Sequence, residues 1–244
     1  MVVRKDGDSD STLVWARPEP PDRPAPAPLS RDRIVRAAIE LADRDGLDAV
    51  SLRKVAAMLD AGPMRLYRYL STKEELLDLM VDAVYGEIPR PDPADGDWRT
   101  ALRSFAHGMR QAALRHEWFA DLLGRRPHLG PEALANLEAS LAALDGALGT
   151  GDIDSVIQAR DAVNAYVIGA LRSEITERRT ERATGLDEHQ WQVASSSYLN
   201  QVLATGRYPT LARVVSDAGD RDAQAKFDTG LDYLLDGIAA RLGV

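Results

Sequence analysis

At 244 residues the chain is long enough for one large domain or two small ones with a sizeable core. It contains no cysteine, which excludes a disulfide framework, a thiolate-ligated zinc and a thiol nucleophile. The net charge of −8 is unevenly spread. Residues 51–73 carry Arg53, Lys54, Arg65, Arg68 and Lys73 against Asp60 alone, a balance of +4, so the other 221 residues sum to −12.

A basic island in an acidic chain matters because phosphate contact needs only local charge. Hydrophobic residues make up 45% and aromatics 6%. Alanine and leucine dominate, and β-branched residues rarely alternate with polar ones, which predicts an all-α fold. The first residues hold no apolar run, and the least polar stretch, Ala162 to Leu171, is only ten residues long and is broken by Asn164. No secretion signal or membrane span is expected, and the protein is read as cytoplasmic.

Six of the 13 prolines fall between Pro18 and Pro28, so residues 1–28 are expected to form a disordered, proline-rich tail. Ser30 is a suitable N-cap for a first helix with Ile34, Ala37, Ala38, Leu41 and Ala42 inward, and Gly46 a suitable stop. A short second helix begins at Ser51 and buries Leu52, Val55, Ala56 and Leu59. Asp60-Ala61-Gly62 makes a tight turn, and Pro63 opens a third helix expected to run to about Leu70. Thr72 to Glu75 fits a reciprocal capping box for a fourth helix. Pro89, Pro91, Pro93 and Gly96 then break the pattern, giving a domain over 29–88 and a linker over 89–97.

The remainder, 98–244, reads as helices from Trp98 to His116, Pro131 to Leu148, Asp154 to Arg178, Asp187 to Leu203 and Asp222 to Leu242. The 154–178 segment is apolar on several faces and is expected to be buried all round. The last helix carries one stripe, Phe227, Leu231, Leu234, Leu235, Ile238 and Leu242, while Gly230 and Gly237 leave room for a close neighbour.

Two short helices joined by a three-residue turn and braced on both sides make a helix-turn-helix. The second displays Met64, Arg65, Arg68 and Tyr69 away from its anchors, which suits a major groove. Ser51, Arg53 and Lys73 stand at helix starts, where amides assist phosphate binding.

The run Ser51 to Leu77, with Leu66-Tyr67-x-Tyr69 followed by Lys73-Glu-Glu-Leu-Leu77, closely resembles the DNA-binding domain of the tetracycline-repressor (TetR) family over about Leu29 to Ile88. The resemblance implies Tyr67 and Lys73 on phosphates, with Met64, Arg65, Arg68 and Tyr69 near bases or backbone. Ser51, Arg53, Lys54 and Pro63 complete the candidate interface. Asp60 departs from the family's usual turn glycine, although aspartate tolerates left-handed backbone better than most residues.

The C-terminal half resembles that family's ligand-binding and dimerisation domain more loosely. It implies a homodimer that binds a palindromic duplex and is released by a small hydrophobic inducer. The dimer seam expected from the last helix is Phe227, Leu231, Leu234 and Ile238. The expected pocket is Phe105, Met109, His116, Trp118, Leu137, Leu141 and Tyr166. His116 falls where tetracycline repressors place a metal-ligating histidine, but Phe105 and Met109 replace their drug-gripping asparagine and phenylalanine. No metal and no cofactor are expected.

Two alternatives stay open. One is an adaptor of the same fold that no longer binds DNA, suggested by Asp60 and the acidic total. The other is an enzyme, for which no phosphate loop, dinucleotide fingerprint, zinc motif or nucleophile elbow is present. The four histidines, His107, His116, His128 and His189, are dispersed.

Overall fold

The computed structural model describes residues 13–16, 29–90, 97–124, 126–149, 152–219 and 221–243. Most of the tail expected over 1–28 and of the linker over 89–97 lies outside them. The described residues form eleven α-helices and no strand. The chain divides into two compact units, residues 1–89 with 125–138, and residues 90–124 with 139–244.

In the first unit, α1 (Arg31–Asp45) starts where the Ser30 hydroxyl accepts from the Arg33 amide at 3.3 Å, and it stops at Gly46. Its inward face is Ile34, Val35, Ala37, Ala38, Leu41 and Ala42. α2 (Leu52–Met58) is capped by Ser51, whose hydroxyl accepts from the Lys54 amide. Asp60 then takes a left-handed φ of 50°, the conformation that a turn lacking the usual glycine demands. α3 (Pro63–Leu66) is only four residues long, half the expected length. Beyond it the chain tightens, with Tyr69 N donating to Leu66 O at 2.8 Å, because Tyr69 and Leu70 are both drawn into the core.

α4 (Lys73–Tyr85) begins at Thr72, whose hydroxyl accepts from the Glu75 amide at 3.1 Å. The Glu75 carboxylate turns to the Ser71 amide at 2.6 Å, so the expected box closes one residue early. Residues 126–138 also belong to this unit, and there α7 (Pro131–Leu148) has its first turns. The Asp82 carboxylate on α4 accepts from the Glu132 and Ala133 amides, and Asn136 donates to the Tyr85 carbonyl.

The second unit is built on α5 (Trp98–Arg115), α8 (Ile153–Thr184) and α11 (Ala223–Leu242). α8 buries one stripe, Val156, Ala159, Val163, Val167, Leu171 and Ile175, and leaves Ile157 half exposed. The expectation of a helix buried on every face is corrected: one side of α8 is open.

α6 (Glu117–Leu122) was not expected from the sequence. It is pinned to α8 by arginines: Arg172 Nε donates to Ala120 O at 3.2 Å, and Arg179 reaches Asp121 at 2.8 Å. Arg182 bonds Glu117, holding that carboxyl below its ordinary value against the opposing effect of burial. α9 (Glu188–Leu203) and α10 (Pro209–Asp217) pack on each other and bury no residue.

Candidate nucleic-acid interface and effector cavity

The candidate DNA-binding head is organised by its anchors. Leu66, Tyr69 and Leu70 are buried, and this fixes which side chains of α3 remain outside. Met64 is 78% exposed and Tyr67 50% exposed, and Pro63, Arg68, Arg53 and Lys54 are also exposed, while Ser51, Arg65 and Lys73 are half-buried. A methionine and a tyrosine left in solvent beside cations form the surface a base edge and a phosphate would cover.

Tyr69 is a correction to the sequence reading. It is 3% exposed, and its hydroxyl donates to the Leu29 carbonyl at 2.7 Å, while Arg31 Nε donates to the Tyr69 carbonyl at 3.4 Å. It staples the chain entering α1 to the end of the head and cannot touch a base. Tyr69→Phe leaves the Leu29 carbonyl unsatisfied and is expected to cost about 1–3 kcal/mol. Chemical unfolding will read that loss, while the preferred DNA sequence should not change.

In the second unit, a cavity of about 980 Å³ lies between α8, α9 and the start of α11. Tyr166, Phe227 and Trp191 are among its lining residues, and Glu174, Glu177 and Glu181 line the α8 side. A polar network stands behind this wall. Arg110 on α5 makes a two-pronged bond to Glu174 at 2.7 and 2.8 Å, bonds Gln224, and lies 5.7 Å over the Phe227 ring. His107 stands 3.2 Å from Asp228. Tyr166 donates to the Phe227 carbonyl at 2.7 Å, and burial first, then the Asp228 charge, raises its phenol above the ordinary value.

Of the seven expected pocket residues, only Tyr166 lines this cavity. Phe105, Met109, His116 and Trp118 are buried, and Leu137 and Leu141 are half-buried. His116 sits at the α5–α6 junction with its ring 5.9 Å from that of Trp118. Among the described residues no group of three or more acidic or histidine side chains converges to hold a metal ion.

The expected dimer seam is corrected too. Phe227, Leu231 and Ile238 are between 0 and 7% exposed within a single chain, because they pack on this chain's own α8. Leu234 is half-buried. Gly230 does allow a close neighbour, but the neighbour is Tyr166 of the same chain: a Cβ there would stand 2.3 Å from its hydroxyl. The open face of α11 instead shows Tyr233, 74% exposed, and Gly237, with nothing within 4 Å of where its Cβ would be.

Comparison with known proteins decides the family. Residues 34–80 match the model described as bacterial regulatory proteins, tetR family, and residues 90–242 match the tetracyclin repressor-like C-terminal domain. The chain belongs to the TetR family. As a TetR-family protein it is a ligand-responsive transcriptional regulator.

It is 39% identical over 227 residues to the HTH-type transcriptional repressor DrrR1 of Streptomyces coeruleorubidus, covering 93% of this chain and 83% of that one. It is 41% identical over 234 residues to an HTH-type transcriptional regulator of Saccharopolyspora erythraea, with 95% and 93% covered. Among solved structures it resembles the TetR family protein ActR of Streptomyces coelicolor in complex with actinorhodin. The TM-score is 0.75 at 28% identity, covering 88% of this chain and 97% of that one.

The cavity-lining Trp191 and the network around Arg110 were missed from the sequence. α10 gave a signal in Leu211, Val214 and Val215, spaced for one helical face after Pro209. For Trp191 the signal was its spacing with Ala194, Tyr198 and Val202, at i, i+3, i+7 and i+11 on α9.

Proposed function

We propose that two copies of this chain bind a palindromic operator, each laying α3 in the major groove, and release it when a small molecule fills the α8–α9–α11 cavity. The observation that carries the DNA reading is the pair Met64 and Tyr67, held out in solvent by the buried Leu66 and Leu70 beside Arg65 and Arg68. In this reading Met64, Arg65 and Arg68 meet base edges, and Tyr67, Ser51, Arg53, Lys54 and Lys73 meet phosphates. Such a regulator works in the cytoplasm, and no described helix is long and apolar enough to cross a membrane.

Dimerisation is assigned to the open faces of α8 and α11, where Ile157, Gly169, Tyr233 and Gly237 are exposed. The effector assigned to the cavity has a flat apolar body for Tyr166, Phe227 and Trp191 and polar substituents for the carboxylates. That lining is more charged than the largely hydrophobic pocket expected from the sequence. ActR, which this chain resembles, has been solved with (S)-DNPA and with actinorhodin.

Selection of bound sequences from random duplex DNA tests the core of this reading. Arg65→Ala should relax preference at one position per half-site, at a cost of about 1–3 kcal/mol. Lys73→Ala should weaken binding to all sequences and lower the salt slope by about one per chain. Equal affinity for selected and scrambled duplexes would sink the proposal.

A further inference from the structure

Helix α8 sorts its charges by face. Arg172 donates to the Ala120 and Leu123 carbonyls, and Arg179 and Arg182 reach Asp121 and Glu117, so these three arginines turn to α6. Glu174, Glu177 and Glu181 line the α8–α9–α11 cavity instead. All of these elements lie within the second unit.

Most charges of the lining are already answered. Arg110 grips Glu174 with two bonds, at 2.7 and 2.8 Å, where both side chains are largely buried. Lys226 stands 3.0 Å from Glu188, and the Asp222 side chain caps α11 by accepting from the Ala225 amide at 2.7 Å. Arg221 reaches Thr229, and the charge of Arg178 bears on Glu117 of α6. Glu177 and Glu181 remain: neither makes a hydrogen bond or an ion pair among the described residues. They stand four residues apart, a spacing at which like charges repel along a helix, so α8 itself gains nothing from the pair.

The same cavity is lined by Trp191, which is 61% exposed on α9, a helix that buries no residue. An indole lining a cavity yet left in solvent is unfilled apolar surface. Its face also attracts a cation more strongly than that of tyrosine or phenylalanine. A neutral ligand would cover the ring and leave the two carboxylates repelling each other, and an anion would be repelled by both. A positive charge suits the ring and the carboxylates together.

We propose that the effector of this cavity is a cation: a flat aromatic body against Trp191, with a positive charge met by Glu177 and Glu181. The proposal rests on the effector reading above and adds the charge of the ligand to it. Glu174 takes no part in recognising that charge, because Arg110 already neutralises it.

Fluorescence titration of the full-length protein, without DNA, tests it with three tricyclic probes of nearly one shape. N-methylacridinium is permanently cationic, acridine is uncharged at neutral pH, and acridine-9-carboxylate is anionic. The wild type should bind N-methylacridinium about tenfold tighter than acridine, and acridine-9-carboxylate most weakly. Glu177→Gln combined with Glu181→Gln keeps the shape of the wall and removes both charges. In that double variant the preference for the cation should fall to about twofold or less. Trp191→Ala should weaken the cationic and neutral probes alike.

Equal binding of N-methylacridinium and acridine by the wild type, with both weakened in Trp191→Ala, overturns the cationic effector and leaves the effector reading of the cavity standing. So does a preference for the cation that persists undiminished in the double glutamine variant, since it would then come from the net charge of −8 rather than from this pair. If no probe binds, or if Trp191→Ala weakens none of them, the cavity loses both readings.

Discussion

Arg110→Ala is expected to lower stability by about 3–5 kcal/mol, because it strands the Glu174 carboxylate where both side chains are only 12% and 14% exposed. The cost lies in the uncompensated charge rather than in the strength of the pair. Arg110→Met combined with Glu174→Met should therefore recover most of the loss, since replacing a buried ion pair with apolar groups of similar volume is often neutral. Denaturant midpoints of the two singles and the double supply the comparison. A single mutant within about 1 kcal/mol of wild type would show that water screens this pair. The network also carries Gln224 and the face of Phe227, so the same substitution should disturb the floor of the proposed effector cavity.

Gly130→Ala is the second substitution with a large expected effect. Its methyl would meet the Asp82 carboxylate at Oδ1, Cγ and Cβ, all closer than 3 Å. A buried carboxylate already bonded to two amides has no free direction in which to retreat. Overpacking and two orphaned amides together should cost about 3 kcal/mol. Asp82→Ala removes the two nearest obstructing atoms, Oδ1 and Cγ, and leaves only the Cβ at 2.7 Å, so the double variant should be less destabilised than the sum of the singles. Additive losses in thermal or chemical unfolding would place the strain elsewhere.

The elements legible in the sequence were those whose signals are local. Ser30, Ser51 and Thr72 are caps whose hydroxyls meet their own helix amides, and Asp60 takes the left-handed turn its position required. Features set by distant chain segments were not legible. α3 stops at Leu66 because Tyr69 is recruited by Leu29, forty residues away. α6 is a six-residue helix held by arginines some fifty to sixty-five residues further along.

The expected dimer seam failed for a related reason. An apolar stripe announces burial but not what buries it, and Phe227, Leu231 and Ile238 are consumed inside one chain. The cavity was hidden because its α8 wall repeats polar residues, Glu174, Glu177 and Glu181 at helical spacing, whereas the sequence criterion sought large apolar side chains.

If α3 lies in the major groove as proposed, its brevity limits how much information one molecule can extract from DNA. A helix of four residues advances about 6 Å, against 3.4 Å per base step, and so faces about two base pairs. Two fully read base pairs distinguish about one sequence in sixteen, and two such heads about one in 256, whereas a genome offers on the order of a million or more competing positions. The missing discrimination has to come from the flanking cations and from the shape and stiffness of the duplex between the two heads. A reader of this kind tolerates spelling variation, and its targets should form a graded set of related operators rather than one invariant sequence.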